Sequence, residues 1–190
     1  MESLELAKTL VLEKYKDTHK SRLEHILGVA EMAEELSKRY HADVEKAKIA
    51  AYMHDYCKYD SKEEIEPLLT AQEIEECREY PFLYHAYGSA YMYRKYIGTD
   101  EDIFAAIYNH VFGRPGMSLL ETIIMIADYT EKNRKYPSCI ACREILLAGR
   151  LEEAVWYSLK QMIDFAVSEG NRPHPRQLAV YEEYKRKVGM

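Results

Sequence analysis

Proline and glycine are scarce in this chain, six and eight in 190 residues. Few turns can therefore be made, and long regular elements are expected. Cysteine is scarcer still. Cys57, Cys77, Cys139 and Cys142 are too few and too scattered for a disulfide scaffold, so the chain reads as a protein of a reducing cytoplasm. No apolar run approaches the roughly 18 residues of a membrane span. Met1-Glu2-Ser3-Leu4-Glu5 places acid where a secretory leader needs a basic start. Basic charge is in deficit as well, with 26 Lys and Arg against 32 Asp and Glu, a net charge of -6. That balance argues against non-specific nucleic-acid binding, which is driven by neutralising phosphates. It leaves room for a phosphorylated small molecule, because a few cations or metals supply the local field. With 47% apolar and 31% charged residues, the rest is ordinary soluble material, enough for one domain.

Alternating strand patterns are nearly absent, and the apolar spacing is helical throughout. Leu4, Ala7, Val11 and Tyr15 share one face of a helix over 3–15. Leu23, Ile26, Leu27, Ala30 and Ala33 share a face of a long helix over 21–40. Asp43 is the expected N-cap of a helix running to about Cys57. Ser61-Lys62-Glu63-Glu64 has the capping-box pattern, and Thr99-Asp100-Glu101-Asp102 and Ser118-Leu119-Leu120-Glu121 open helices in the same manner. Gly98, Gly149 and Gly170 stand where C-caps belong, and the last helices run over about 151–169 and 175–187. The fold class is all-α, a single compact domain of nine or ten helices.

Seven histidines fall into two groups. His19 and His41 sit in polar junctions and read as exposed turn residues. His174 lies in the stiff lead-in Pro173-His174-Pro175. The other four point inward. His25 shares a face with Val29, Met32 and Leu36, and His54 follows Ala47, Ala50 and Ala51 on one face. His85 begins a face continued by Ser89 and Met92, and His110 ends the face of Ile103 and Ile107. One such imidazole is usually a satisfied core residue, but four in one small domain ask for more. Asp55 follows His54 directly, and Asp128 ends the nearly all-apolar run 119–127. A buried carboxylate needs a cation, either an arginine or a metal. Beside four inward imidazoles, the metal is favoured.

Longer motifs surround these residues: Arg22-Leu23-Glu24-His25-Ile26-Leu27-Gly28-Val29-Ala30, His54-Asp55-Tyr56-Cys57-Lys58 and His85-Ala86-Tyr87-Gly88. His110-Val111-Phe112-Gly113-Arg114-Pro115-Gly116, Ala127-Asp128-Tyr129-Thr130-Glu131-Lys132-Asn133-Arg134 and Arg172-Pro173-His174-Pro175 complete the series. The set closely resembles the HD-domain superfamily of metal-dependent phosphohydrolases, and within it the YqeK-type bacterial hydrolases of diadenosine tetraphosphate. The resemblance covers about residues 18–185 and departs at one place. Two threonines usually follow the fourth histidine, where this chain has Val111-Phe112.

The resemblance implies an α-helical HD domain over 1–190, with core motifs over about 18–135 and C-terminal helices of 138–187 packed on them. It implies one metal held by His25, His54, Asp55 and Asp128, with Asp55 bridging to a second held by His85 and His110. Iron is the family's usual metal, and the nitrogen and carboxylate ligands also suit manganese, nickel or zinc. The implied reaction is cleavage of diadenosine tetraphosphate to two ADP by metal-bound hydroxide attack on an inner phosphorus. Lys58, Arg114 and Arg134 are the expected phosphate cations, and Glu131 is expected to orient a ligand, a water or one of these cations. The implied partner is a dinucleoside polyphosphate or nucleotide, with neither nucleic acid nor membrane, and a homodimer is admitted. Competing readings are another HD phosphohydrolase, an HD-fold diiron oxygenase and a catalytically silent binding module. Tyr84, Tyr87 and Tyr91 form a helical stripe suited to stacking on adenine or, more often, to lining the core rim. Cys139 and Cys142 read as packing residues on a helix.

Overall fold

The computed structural model describes residues 3–190, so Met1 and Glu2 of the acidic start lie outside the described residues. Eleven α-helices and no strand occur among these residues. They are α1 (Ser3–Tyr15), α2 (Lys20–Tyr40), α3 (Val44–Met53), α4 (Lys62–Ile65), α5 (Ala71–Glu79), α6 (Leu83–Tyr96), α7 (Glu101–Asn109), α8 (Leu119–Thr130), α9 (Pro137–Leu147), α10 (Leu151–Ser168) and α11 (Pro175–Lys187). A 3-10 turn, Glu66–Leu68, joins α4 to α5. The count exceeds expectation because α5 is short and polar and shows little period, whereas α4 starts where the Ser61 capping box places it.

Most caps form where the local pattern places them. The Asp43 side chain accepts from the Lys46 amide, and Ser61 and Ser118 each build a complete capping box. Thr70 builds a third with Glu73. At α7 the expected cap moves by one residue. Asp100, not Thr99, accepts from the Asp102 and Ile103 amides, because its short carboxylate reaches both. His41 closes α2 in the left-handed region, and Gly149 and Gly170 do so after α9 and α10.

A larger correction concerns α3, which ends at Met53 rather than near Cys57. Side chains from other helices take over the backbone there. The Tyr15 hydroxyl donates to the carbonyls of Asp55 (3.0 Å) and Tyr56 (2.8 Å). The Cys57 amide donates to Ser89 Oγ at 2.9 Å. The chain therefore leaves the helix in tight turns just after His54, with its buried polar groups satisfied.

Fully buried Ala47, Ala50 and Ala51 let α3 lie close against α2, α7 and α8 at the centre of the molecule. One apolar core runs from Val11 on α1 through Ile26, Met53 and Ile126 to Leu159 and Val180 on α10 and α11. Each such side chain removed from water contributes about 1.5–3 kcal/mol. A second, smaller cluster gathers Cys57, Ile65, Cys77, Leu83 and Tyr87 under α4 and α5. The tyrosine stripe serves this outer layer. Tyr84, Tyr87 and Tyr91 donate to Glu66, Glu76 and Glu73, and Tyr87 stacks on Tyr108 at 4.0 Å. These rings line the core rim and fasten α5 to α6. Cys139 and Cys142 are buried in α9, and all four cysteines are free.

Candidate metal centre

The six inward residues come from five places in the chain: α2, the turn after α3, α6, the end of α7, and α8. They converge on Asp55. One oxygen, Oδ2, lies 3.7 Å from His25 Nε2 and 3.5 Å from His54 Nε2. The other, Oδ1, lies 3.1 Å from His85 Nε2 and 3.8 Å from His110 Nε2. Asp128 Oδ1 closes the first group, 3.0 Å from His25 Nε2 and 4.0 Å from His54 Nε2. His85 and His110 face each other at 3.2 Å. Asp55 thus stands between two sets of imidazoles, one oxygen toward each. Three overlapping groups, His25 with His54 and Asp55, His54 with His110 and Asp128, and Asp55 with His85 and His110, each have ligand atoms all within 4.8 Å of one another.

The far side of each ring decides what the near side offers. His54 Nδ1 donates to the Ala51 carbonyl and His110 Nδ1 to the Ile107 carbonyl, both at 2.7 Å. A carbonyl only accepts, so these protons sit on Nδ1 and Nε2 presents a lone pair to the cluster. His25 Nδ1 meets Glu131 Oε1 at 3.1 Å. The Nε2 atoms of His25 and His54 are buried and have no hydrogen-bond partner. Arg22 and Arg134 each meet one of the two carboxylates, but no cation meets the lone pairs of His25 and His54, which stand bare beside them. The donor set of imidazole and carboxylate fits a divalent metal such as iron, manganese or zinc.

The charges agree. Burial works against ionising Asp55, but the surrounding imidazoles of His54 and His85 outweigh it and hold the carboxyl well below the usual range. Asp128 is held low in the same way, by the close His25 imidazole and the charge of Arg134 against the cost of burial. Burial pushes the His110 imidazole down to about 3, reinforced by His54 and His85, so this ring is neutral at physiological pH. His85 is lowered by burial too.

Asp128 marks the open edge. Its side chain is 23% exposed, whereas those of His25, His54, Asp55, His85 and His110 are at most 9% exposed. Three cations stand at or near this edge, each partly exposed. Arg134 Nη2 donates to Asp128 Oδ1 at 2.8 Å. Lys58 Nζ lies 3.2 Å from His85 Nε2 and 3.7 Å from Asp55 Oδ1. Arg22 Nη1 donates to Asp55 Oδ2 at 2.6 Å. Arg22 is missed as a site residue by the sequence reading, although it lies one helical turn before His25.

Arg114 holds a different carboxylate. It grips the buried carboxylate of Glu121 through two bonds of 2.7 Å, and Asn109 Nδ2 joins the same carboxylate at 2.9 Å. It thereby fastens the loop after His110 to the start of α8. Phe112 of the Val111-Phe112 departure stacks on His174 at 4.8 Å and meets the edge of Tyr80. His174 caps α11 and bonds Glu76, so the C-terminal motif ties α11 to α5 rather than joining the cluster. His41 is exposed, while His19 departs from expectation by stacking on Tyr59 at 3.8 Å.

Arg143 on α9 is a second residue without a local signal. Its guanidinium donates to the carbonyls of Thr130 (2.5 Å), Glu131 (2.6 Å) and Arg134 (3.0 Å). It holds the turn that carries Glu131 and Arg134. Arg143→Ala is expected to cost about 2 kcal/mol, the scale of hydrogen bonds to a charged group. In a chain of this size that lowers Tm by about 4–8 °C, which calorimetry checks.

Comparison with known proteins gives the same assignment. The HD domain family model matches residues 22–133. The symmetrical bis(5'-nucleosyl)-tetraphosphatase of Bacillus subtilis is 38% identical over 83% of this chain and 86% of its own length. The enzyme of the same name from Halalkalibacterium halodurans is 40% identical over 85% of this chain and 88% of its own. The crystal structure of a predicted HD superfamily hydrolase involved in NAD metabolism from Clostridium acetobutylicum superposes with a TM-score of 0.83. It is 30% identical, with 95% of this chain and 96% of that one covered. An all-helical fold that brings His25, His54-Asp55 and Asp128 together, within a stretch matched by the family's own pattern, places this chain in the HD-domain family.

Proposed function

We propose that this protein hydrolyses diadenosine tetraphosphate symmetrically, adding one water to give two ADP. The observation that carries the reading is a cluster divided by Asp55 into two metal-ligand sets, with cations along its open edge. The relatives named for this activity align with more than four-fifths of the chain and supply the substrate.

His25, His54, Asp55 and Asp128 would hold one ion, and Asp55, His85 and His110 a second, with iron the first metal to test. Bound there, two ions supply an acidified water and neutralise phosphoryl charge. The chain's own groups do the rest. His54 and His110 are locked by their Nδ1 bonds, so their ligand atoms need no reorganisation. Lys58, Arg22 and Arg134 hold the carboxylates now and are placed to meet the phosphates of a polyphosphate at the Asp128 edge. Arg114 positions the loop after His110 through Glu121. Water oxygen added at an inner phosphorus, with the central P–O–P bond broken, gives one ADP that keeps the attacked phosphorus and a second that departs with the bridging oxygen and the P–O bond's electron pair.

All four cysteines are free and buried, which supports a reducing cytoplasm. No helix among the described residues is long and apolar enough to cross a membrane. Val155, Leu159 and Val180 share the core with α2 and α8, which supports 1–190 acting as one domain.

Chromatography of the products from metal-loaded protein tests the proposal, and ADP is expected as the only nucleotide product. ATP with AMP would mean cleavage of an outer anhydride instead of the central one. Dephosphorylation of a nucleoside monophosphate without cleavage of the dinucleotide would assign another HD phosphohydrolase activity.

A further inference from the structure

We infer that Gly28 is a positioning residue that acts through Glu131 on His25. The inference rests on the metal reading above and explains why a glycine stands inside α2. Gly28 lies three residues after His25, on the neighbouring turn of the same helix side. A Cβ at Gly28 would overlap Glu131 Oε2 and lie 3.1 Å from both Glu131 Cδ and Asn133 Nδ2. The missing methyl is the room that the Glu131 carboxylate occupies.

That carboxylate is 1% exposed and tightly held. Oε1 faces His25 Nδ1 at 3.1 Å, and Oε2 accepts the Asn133 amide at 2.6 Å. Asn133 Nδ2 donates to the Glu24 carbonyl at 3.2 Å, tying the turn after α8 back to α2. His54 and His110 lean on neutral carbonyls of their own segments. His25 instead leans on a carboxylate from across the molecule, which fixes the ring and makes Nε2 a stronger donor toward a metal. Alanine is the better residue in a helix interior by intrinsic propensity. A glycine there is explained by the close approach of Glu131, not by the helix.

Glu131 is thus a positioning residue as well, touching a ligand rather than substrate. The test is titration of metal-free protein with Co²⁺, read by visible absorbance, alongside thermal unfolding of each metal-free protein. Gly28→Ala and Glu131→Ala are each expected to weaken Co²⁺ binding by about tenfold or more. Glu131→Gln keeps an acceptor for Nδ1 without the charge and is expected to fall between wild type and Glu131→Ala. The double variant Gly28→Ala/Glu131→Ala is expected to bind no more weakly than Glu131→Ala alone, because the overlap with the Glu131 carboxylate is gone and only the end of the Asn133 side chain, at 3.1 Å, must give way slightly. Wild-type affinity in Glu131→Ala, or an equal further loss on adding Gly28→Ala to it, overturns the inference. These arms stand even where Gly28→Ala alone fails to fold. Wild-type protein that binds no Co²⁺ overturns the metal reading itself, a result distinct from any difference among the variants.

Discussion

Asp55→Ala is expected to remove turnover, by about a thousandfold or more, while His41→Ala stays close to wild type. The reason is the position of one carboxylate. Oδ2 faces His25 and His54, and Oδ1 faces His85 and His110, so a single substitution takes a ligand from both sets. It also releases Arg22 and Lys58 from the group that holds them. Metal ions at such a site supply several kcal/mol to the transition state. At about 1.4 kcal/mol per tenfold, losing even part of that gives the stated effect. His41 is an exposed residue closing α2 and touches none of the six. Turnover under saturating substrate and metal content of the purified variants check the pair. Equal losses in two proteins that both stay folded by circular dichroism would show the site assignment to be wrong.

Stripping the metal with a chelator is expected to abolish turnover and lower Tm by about 5–10 °C. A metal present at a hundred times its dissociation constant stabilises the folded state by about 2.7 kcal/mol. In a domain of this size each kcal/mol moves Tm by about 2–4 °C. The direction follows from the geometry. The lone pairs of His25 and His54 are buried without partners beside Asp55 and Asp128, an arrangement that a cation relieves. Differential scanning calorimetry before and after chelation, then after iron, manganese or zinc is restored, reads both effects. A chelated protein with unchanged Tm and unchanged turnover would defeat the metal reading.

The parts of this molecule that were legible beforehand are those specified within a few residues. Asp43, Ser61 and Ser118 cap helices because the donor and acceptor lie three positions apart. The four inward histidines were found because helical spacing puts each on a face with buried neighbours such as Val29, Ala50 and Ile107. The same local logic failed by one residue at α7, where two adjacent residues can both cap and the carboxylate of Asp100 reaches two amides. It also leaves α5 unread, because its few apolar residues show no clear period.

Helical class, the absence of a disulfide framework and the identity of the six clustered side chains follow from composition, period and motif order, all of them properties of short stretches of chain. Which partner each charged group takes does not, because it depends on distances between segments far apart in sequence. Arg22 on Asp55, Arg134 on Asp128, Arg114 on Glu121 and Arg143 on three carbonyls were each settled by packing. So was the end of α3, where Tyr15 and Ser89 claim backbone groups that the helix would otherwise have used. A buried polar group must find a partner in the folded chain, and only the three-dimensional arrangement of all the others decides which one is within reach.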